Sequence, residues 1–275
     1  MLDRELNAFF PGKPQKINNI NLSYKRPIDN ELILSLEKAL ESQIKKFNTL
    51  KMQKVTVGLS GGVDSTVVCA LLKQTELKSS AVIIEVDNHT DLTEGTKFAV
   101  ALAEKIGIDY ELINATKTYN DHLKLLKSNS TLARVHLRSR LINNIVFQVA
   151  DNNLSIVINT TDKSEDILKI YEESFRGHIA PLIELYKSEL YDLADLMGLT
   201  ELSKAKSGCP ELLDFDAFGL DWDDLDPILY LLAEKKMSIS DIAKQYKIDI
   251  KWLQGLEKRI LTQPLRTTVQ QVHLK

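Results

Sequence analysis

The chain has 275 residues, of which 44% are hydrophobic and 27% are charged, a balance that predicts a globular protein with a substantial buried core. The formal net charge is −3, and 35 Lys and Arg residues are interspersed with 38 Asp and Glu residues, so a strong field for nucleic acid or a membrane surface is not expected. No run approaches the ~20 apolar residues of a membrane-spanning helix, and the N-terminus is charged where a secretory signal would be apolar. We therefore expect a cytoplasmic protein.

The first half of the chain has the pattern of an α/β protein. Residues 1–29 contain three prolines and predict an irregular arm, and residues 30–50 have the apolar spacing of an amphipathic helix. Helical stretches near 64–75, 94–106 and 131–150 then alternate with short apolar runs. The runs predicted as strands are 55–59, 81–86, 110–113 and 155–158. This alternation predicts a doubly wound parallel sheet, which binds ligands at the carboxyl ends of its strands.

The second half of the chain reads as helical, with no further convincing strand beyond Pro181. The predicted helices are 187–197, 225–233, 239–246 and 250–261. We therefore expect an arm over 1–29, one domain over 30–262 whose part 187–262 is helical, and a tail over 263–275. Residues 238–261 also resemble a helix-turn-helix DNA-binding unit, although two packed helices without a DNA contact are the favoured interpretation.

The turn after the first predicted strand carries the sequence Ser-Gly-Gly-Val-Asp-Ser at 60–65. Its glycines let the backbone approach a ligand closely, so that consecutive N–H groups and the helix N-terminus point at one anion. An aspartate beside a phosphate makes sense where Mg²⁺ offsets its charge. The spacing matches neither the P-loop nor the dinucleotide fingerprint, and a tight turn without a ligand is the alternative. The phosphate-binding candidates are Gly58, Ser60, Gly61, Gly62, Asp64 and Ser65.

This loop resembles the pyrophosphate-binding motif of the N-type ATP pyrophosphatases, and further stretches resemble ammonia-dependent NAD synthetase, collinearly over residues 30–262. Residues 137–141 are similar to the family's Ala-Arg-x-Arg-Met. Residues 159–165 resemble Gly-Thr-x-Asn-Lys-Ser-Glu, and residues 181–190 resemble Pro-Leu-x-x-Leu-x-Lys-x-x-Val. The resemblance implies a Rossmann-like, adenine nucleotide alpha-hydrolase-like fold with a helical C-terminal region.

The resemblance also implies roles for individual side chains. Arg138, Thr160 and Lys187 would contact ATP, Arg140 would contact the second substrate, and Asp64 and Glu165 would ligate Mg²⁺. Asp64 and Lys187 would be the catalytic residues. Two plainer interpretations stand beside these: a helix-capping box explains Asp162 and Glu165 without a metal, and Lys187 is an ordinary surface lysine.

The departures from the family pattern fall where the acyl substrate should bind. The family's Gly-Tyr/Phe-x-Thr-x-x-Gly-Asp is replaced at 169–178, so that His178 stands in place of the aspartate. The family's Gln-x-Asp-Glu segment is missing, and Asp214 and Asp216 are partial substitutes. We expect His178 and Asp214 to contact this substrate, unless His178 is a structural histidine satisfied by the backbone.

The resemblance implies an ATP-dependent ligase that forms NAD from deamido-NAD and ammonia through an acyl-adenylate, with release of AMP and pyrophosphate. It also implies a homodimer. The acyl substrate is the acceptor of ammonia, and we call the residues expected to bind it the acceptor half of the site. Because the acceptor half is altered, a paralogue that amidates another carboxylate is an alternative. A second alternative is an ATP pyrophosphatase acting in tRNA modification, for which Cys209 is the candidate cysteine. The acidic balance does not favour nucleic acid as a partner.

Overall fold

The structure, a computed structural model, describes residues 10–14, 20, 22–52, 54–86, 94–127, 130–169, 176–201, 208–209 and 212–262. The predicted tail and parts of the predicted arm and of 169–178 lie outside these residues, as does the side chain of Cys209. The helices are α1 (Asn30–Lys45), α2 (Val63–Gln74), α3 (Glu94–Ile106), α4 (Thr116–Leu126), α5 (Thr131–Asn152), α6 (Lys163–Leu168), α7 (Lys187–Leu196), α8 (Asp214–Phe218), α9 (Trp222–Leu229), α10 (Ile239–Tyr246) and α11 (Ile250–Thr262). The strands are β1 (Lys54–Gly58), β2 (Lys78–Glu85), β3 (Asp109–Asn114), β4 (Ser155–Val157), β5 (Gly208–Cys209) and β6 (Leu212–Leu213).

The four longer strands form one parallel sheet in the order β3-β2-β1-β4. A parallel bridge between Ile158 and Ile179 continues the pairing beyond β4. Because all strands run in one direction, the segments after β1 and β4 emerge at the same edge of the sheet. These segments carry the predicted phosphate loop and the predicted metal ligand.

Helices cover both faces of the sheet, as expected for parallel strands with apolar residues on both sides. Ala81 and Ile83 of β2 pack with α1, α2, α3 and α7 in the largest core cluster. Val82, which points to the other face, packs against Val146 and Val149 of α5. Alternate residues of a strand point to opposite faces, so the predicted doubly wound α/β fold is confirmed.

The helical C-terminal part has its own apolar cluster. Its members include Trp222, Leu225 and Ile228 of α9 and Trp252 and Leu256 of α11. Phe10 of the N-terminal arm lies in the same cluster, and the Trp252 indole donates to the carbonyl of Gly12 at 2.7 Å. The described arm residues therefore pack on their own chain.

The secondary structure differs from the predictions at several elements. The predicted helix over 30–50 ends at Lys45 and continues as a 3₁₀ turn, Lys46–Leu50. The predicted helix over 225–233 begins earlier, as Trp222–Leu229, and continues as a π-helical turn, Tyr230–Glu234. Helices α4, α6 and α8 were not predicted. The expectation of no strand after Pro181 is wrong, because β5 and β6 pair antiparallel; strands of two residues leave no alternating pattern to detect. Among the described helices, none combines the length and the apolar character needed to cross a membrane.

Candidate functional site

The loop between β1 and α2 is shaped by its glycines and closed by its serines. Gly61 has a φ of 85°, a left-handed conformation that glycine adopts without steric cost. A Cβ there would lie 3.4 Å from backbone atoms of Gly95 and Ala99. The hydroxyls of Ser60 and Ser65 lie 3.1 Å apart. The loop thus holds the N-terminal N–H groups of α2, which have no acceptor within the helix, at the carboxyl edge of the sheet.

A buried lysine binds three carboxylates directly beside this loop. The Lys187 Nζ lies 2.7 Å from Asp64 Oδ2, 2.9 Å from Asp162 Oδ2 and 3.1 Å from Glu165 Oε1. The Lys187 side chain is 1% exposed, whereas those of Asp64 and Glu165 are each 19% exposed. The cluster is therefore closed behind the lysine and open to solvent at two carboxylates.

The pKa values in this cluster depend on burial and on the three carboxyl groups that surround one ammonium group. Burial alone would lower the pKa of Lys187, but the charges of Asp162, Asp64 and Glu165 outweigh burial and raise it well above its ordinary value. Burial raises the pKa of Asp64 and of Asp162, and repulsion from Glu165 adds to it in each case. The lysine is consequently a fixed cation at neutral pH, and the site is negative overall when all three carboxyls are ionised.

The segment after β4 holds two of these carboxylates at the start of α6. Asp162 is the N-cap of that helix and accepts from the Glu165 N–H at 2.8 Å. The Glu165 side chain binds Lys187. The capping interpretation therefore accounts for Asp162, while the Glu165 side chain lies in the cluster with Asp64 and Asp162. The side chain of Thr160 is half-buried just before this turn.

Helix α7 begins at Lys187, so its ammonium lies at the positive end of a helix dipole. The three carboxylates offset that unfavourable placement. A buried network fixes the same helix end: the Ser164 hydroxyl accepts from the Lys187 N–H at 2.9 Å and donates to Asp226 Oδ1 at 2.7 Å. The Trp222 ring centroid lies 5.7 Å from the Lys187 Nζ.

The two predicted arginines lie on different sides of α5. Arg138 is buried, and its guanidinium carbon lies 5.1 Å from the ring centroid of Tyr119. Arg140 is exposed. Residues two apart do not share a helix face. The two arginine side chains therefore point in different directions from α5. Tyr119 lies in one apolar cluster with Val86, the residue that follows β2, so Arg138 is placed near the carboxyl end of that strand.

The remaining predicted residues have distinct surroundings. Asp214 is the first residue of α8, and its charge contributes to the raised pKa of Lys187. His178 packs beside β4: its Nδ1 accepts from the Val157 N–H at 2.9 Å, and Phe47 and Phe147 flank its ring, each with centroids 5.7 Å away. These contacts support the structural interpretation of His178. A Cβ at Gly58 would lie 3.2 Å from Val146, which gives this glycine a packing role.

Sequence reasoning overlooked two residues of the site. Asp162 was interpreted only as a cap, although it stands where the quoted family motif has asparagine and therefore adds a third carboxylate. Asp226 was placed within the predicted helix over 225–233, but it is fully buried and binds both Ser164 and the N–H of Ser188. An aspartate followed by proline inside an apolar helix was the available signal.

The fold and the site together define a class of protein: a nucleotide-binding α/β enzyme with a Ser-Gly-Gly phosphate loop and an acidic cluster around one lysine. The sequence model of the family described as NAD synthase matches residues 32–267. The chain therefore belongs to the NAD synthase family of ligases, and the resemblance found from the motifs is confirmed.

Individual relatives agree with this assignment. An NH(3)-dependent NAD(+) synthetase of Pyrococcus horikoshii is 27% identical over 239 residues, which cover 83% of this chain and 91% of the relative. A structure titled NMN synthetase from Francisella tularensis superposes with a TM-score of 0.72 at 18% identity, covering 88% of this chain and 97% of that one. A structure of NH3-dependent NAD synthetase from Campylobacter jejuni has the same TM-score and identity, with coverages of 90% and 100%. The two structures confirm the fold.

Proposed function

We propose that this chain is an amide ligase that forms NAD from deamido-NAD and ammonia through an acyl-adenylate, with release of AMP and pyrophosphate. The observation that carries the proposal is the Lys187 ammonium beside Asp64 at the mouth of the Ser60–Ser65 loop, 2.7 Å from the carboxylate. The family and the names of its curated relatives support the substrates.

The ATP half of the site is suited to a triphosphate. The N-terminal N–H groups of α2 would bind phosphate oxygens, and Lys187 would turn its ammonium from the carboxylates to the departing pyrophosphate. Arg138 and Thr160 lie on segments at the same edge of the sheet and would contact the nucleotide. These groups stabilise charge that grows as the bond to the leaving group breaks, which is the usual source of catalysis in such transfers.

The acidic cluster fits a hard divalent cation. One oxygen from each of Asp64, Asp162 and Glu165 lies within 4.8 Å of the others, and Asp64 Oδ1 is buried without a hydrogen-bond partner among the described residues. Carboxylate oxygens are the protein ligands that Mg²⁺ uses beside phosphates. Asp64 and Glu165, with Asp162 beside them, would hold Mg²⁺, which supplies positive charge next to the phosphates when bound.

In the first step, a carboxylate oxygen of the acceptor attacks the α-phosphorus of ATP, and pyrophosphate leaves. In the second step, ammonia attacks the acyl carbon, and AMP leaves with one oxygen of the original carboxylate. No side chain needs to act as a covalent nucleophile, so the residues act by positioning and by charge. The homodimer and the cytoplasmic location implied by the resemblance remain predictions, as do the contacts of Arg140, His178 and Asp214 with the acceptor.

Oxygen transfer tests the mechanism directly. Deamido-NAD labelled with ¹⁸O in its carboxylate, incubated with ATP, Mg²⁺ and ammonia, should yield NAD, pyrophosphate and AMP that carries one ¹⁸O. The variant Lys187→Met should be slower by about a hundredfold or more. Lys117→Met, which removes an exposed lysine from α4, is the matched control and should retain the full rate. Labelled inorganic phosphate together with ADP would refute the acyl-adenylate.

The altered acceptor half favours testing a second acceptor in the same assay. One structural neighbour is titled an NMN synthetase. In addition, His178 stands where the family has an aspartate, and its ring is packed beside β4 and not directed at a substrate as that carboxylate would be. Deamido-NMN should therefore be compared with deamido-NAD by kcat/KM. If only deamido-NMN is turned over, the ligase class stands and the assignment to NAD is wrong.

A further inference from the structure

Part of the N-terminal arm, residues 22–26, crosses the first turn of α7; we call this segment the strap. The strap lies outside the part of the chain that the family model matches. The hydroxyl of Tyr24 lies 2.8 Å from Ser188 Oγ, and the Arg26 N–H donates to Glu189 Oε1 at 2.8 Å. Both partners on α7 are 1% exposed. The strap therefore holds this helix at two buried side chains.

The ring of Tyr24 also packs on the residue that precedes the catalytic lysine. Its centroid lies 5.5 Å from that of Tyr186 in an edge-to-face arrangement, and 6.0 Å from that of Tyr230. Tyr186 is the N-cap of α7, so the ring and the hydroxyl of Tyr24 contact the residues on either side of Lys187. Aromatic contacts of this geometry add to the stability given by area burial.

A continuous chain of hydrogen bonds links the strap to the backbone of the lysine. The Ser188 N–H donates to Asp226 Oδ2 at 2.8 Å, and the Ser164 hydroxyl donates to Asp226 Oδ1 at 2.7 Å. The Lys187 N–H in turn donates to the Ser164 hydroxyl at 2.9 Å. The residues of this hydrogen-bond series that lie beyond the strap are all buried: Ser188, Asp226, Ser164 and Lys187. Buried hydrogen bonds are strong, and the loss of a partner is costly.

We propose that Tyr24 is a positioning residue for Lys187. Its hydroxyl and ring fix the first turn of α7, and the position of that turn sets where the ammonium lies relative to the phosphate loop. The expected effect on kcat rests on the proposed function, whereas the effect on the position of α7 does not. Displacing a charged group that acts in the transition state lowers kcat more than it weakens substrate binding.

The substitution Tyr24→Phe removes the hydroxyl and keeps the ring. We expect kcat, measured per active site by pyrophosphate release from ATP and deamido-NAD, to fall about three- to tenfold, with the KM for ATP changed less than twofold. Ser188→Ala should lower kcat at least as much, because the Ser188 side chain also hydrogen-bonds Asp226. The double variant should be no worse than Ser188→Ala alone, because that variant has already lost the contact with Tyr24. Tyr110→Phe removes a tyrosine hydroxyl from the edge strand β3 and should change nothing.

Amide hydrogen exchange of residues 187–190 gives a readout that does not require activity. Exchange should be faster in Tyr24→Phe than in the wild type and in Tyr110→Phe. Unchanged exchange overturns the proposal, even if the wild type is inactive with deamido-NAD and the proposed function fails. Faster exchange with an unchanged kcat in an active enzyme also overturns it, because the contact would then be structural only. Faster exchange in an inactive wild type supports the positioning of α7 and refutes only the substrate.

Discussion

Replacing Lys187 with methionine removes the only cation within ion-pair distance of the three carboxylates among the described residues. Breaking a buried ion pair in this way costs about 3–5 kcal/mol. The value near 3 kcal/mol applies here, because Asp64 and Glu165 are partly open to water. We therefore expect Lys187→Met to be about 3 kcal/mol less stable than the wild type at pH 7 without Mg²⁺, measured by urea denaturation.

The loss of stability should depend on pH in a defined direction. Without the ammonium, the pKa values of Asp64 and Asp162 rise further above their ordinary values, in addition to the increase that burial already causes. A carboxyl whose pKa is raised in the folded state contributes stability at low pH and loses it as the pH rises through the folded-state pKa. The deficit of the variant should therefore shrink as the pH falls from 7 to about 5.

Millimolar Mg²⁺ should reduce the same deficit at pH 7, because a bound cation stabilises the folded state by mass action. Lys117→Met is again the matched control, with no measurable change expected. Equal stability of Lys187→Met and the wild type at pH 7, or a deficit of the same size at both pH values, would show that the lysine does not balance the charge of the cluster.

Two further substitutions probe the frame of the site. Burial raises the pKa of Asp226 to about 6, so the stability of the wild type relative to Asp226→Asn should decrease by about 3 kcal/mol as the pH rises from about 3 to 7; parallel pH curves for the two proteins would contradict this. Gly61→Ala places a Cβ on a residue with positive φ and should cost about 1–2 kcal/mol of stability and weaken ATP binding. Gly62→Ala, at an extended φ of −75°, should cost less stability and weaken ATP binding less, as measured by urea denaturation and by calorimetry. A larger effect of Gly62→Ala than of Gly61→Ala would refute the role given to the Gly61 turn.

Much of the ATP half was predictable because its chemistry is local in the chain. Residues 60–65 carry their strand, glycines, hydroxyls and helix start within one short stretch, and the fold places them as expected. Lys187 and Glu165 were singled out through motifs, and the structure brings them into contact, while their roles toward ATP and Mg²⁺ stay predictions. Asp162 was not recognised as a member of the cluster, because its contact with Lys187 spans 25 positions and exists only when α6 and α7 pack together.

The acceptor half shows where pattern reasoning ends. His178 was singled out because its residue type departs from the family pattern, yet residue type does not reveal that its Nδ1 accepts a hydrogen bond from β4 between two phenylalanine rings. Asp214 was named as a partial substitute for a missing segment, and its charge contributes to the raised pKa of Lys187. Residues 170–175 lie outside the described part of the chain, so the contacts of this half remain predictions.

The sequence by itself determined the parallel α/β fold, the phosphate loop and the family, since periodicity and local turn chemistry are properties of neighbouring residues. The tertiary structure decided which polar groups meet. Only packing brings Asp226 within reach of Ser164, 62 positions earlier, and Tyr24 within reach of Ser188, 164 positions later. The balance of three carboxylates against one lysine is also a tertiary property, because burial strengthens charge interactions that are weak in the unfolded chain.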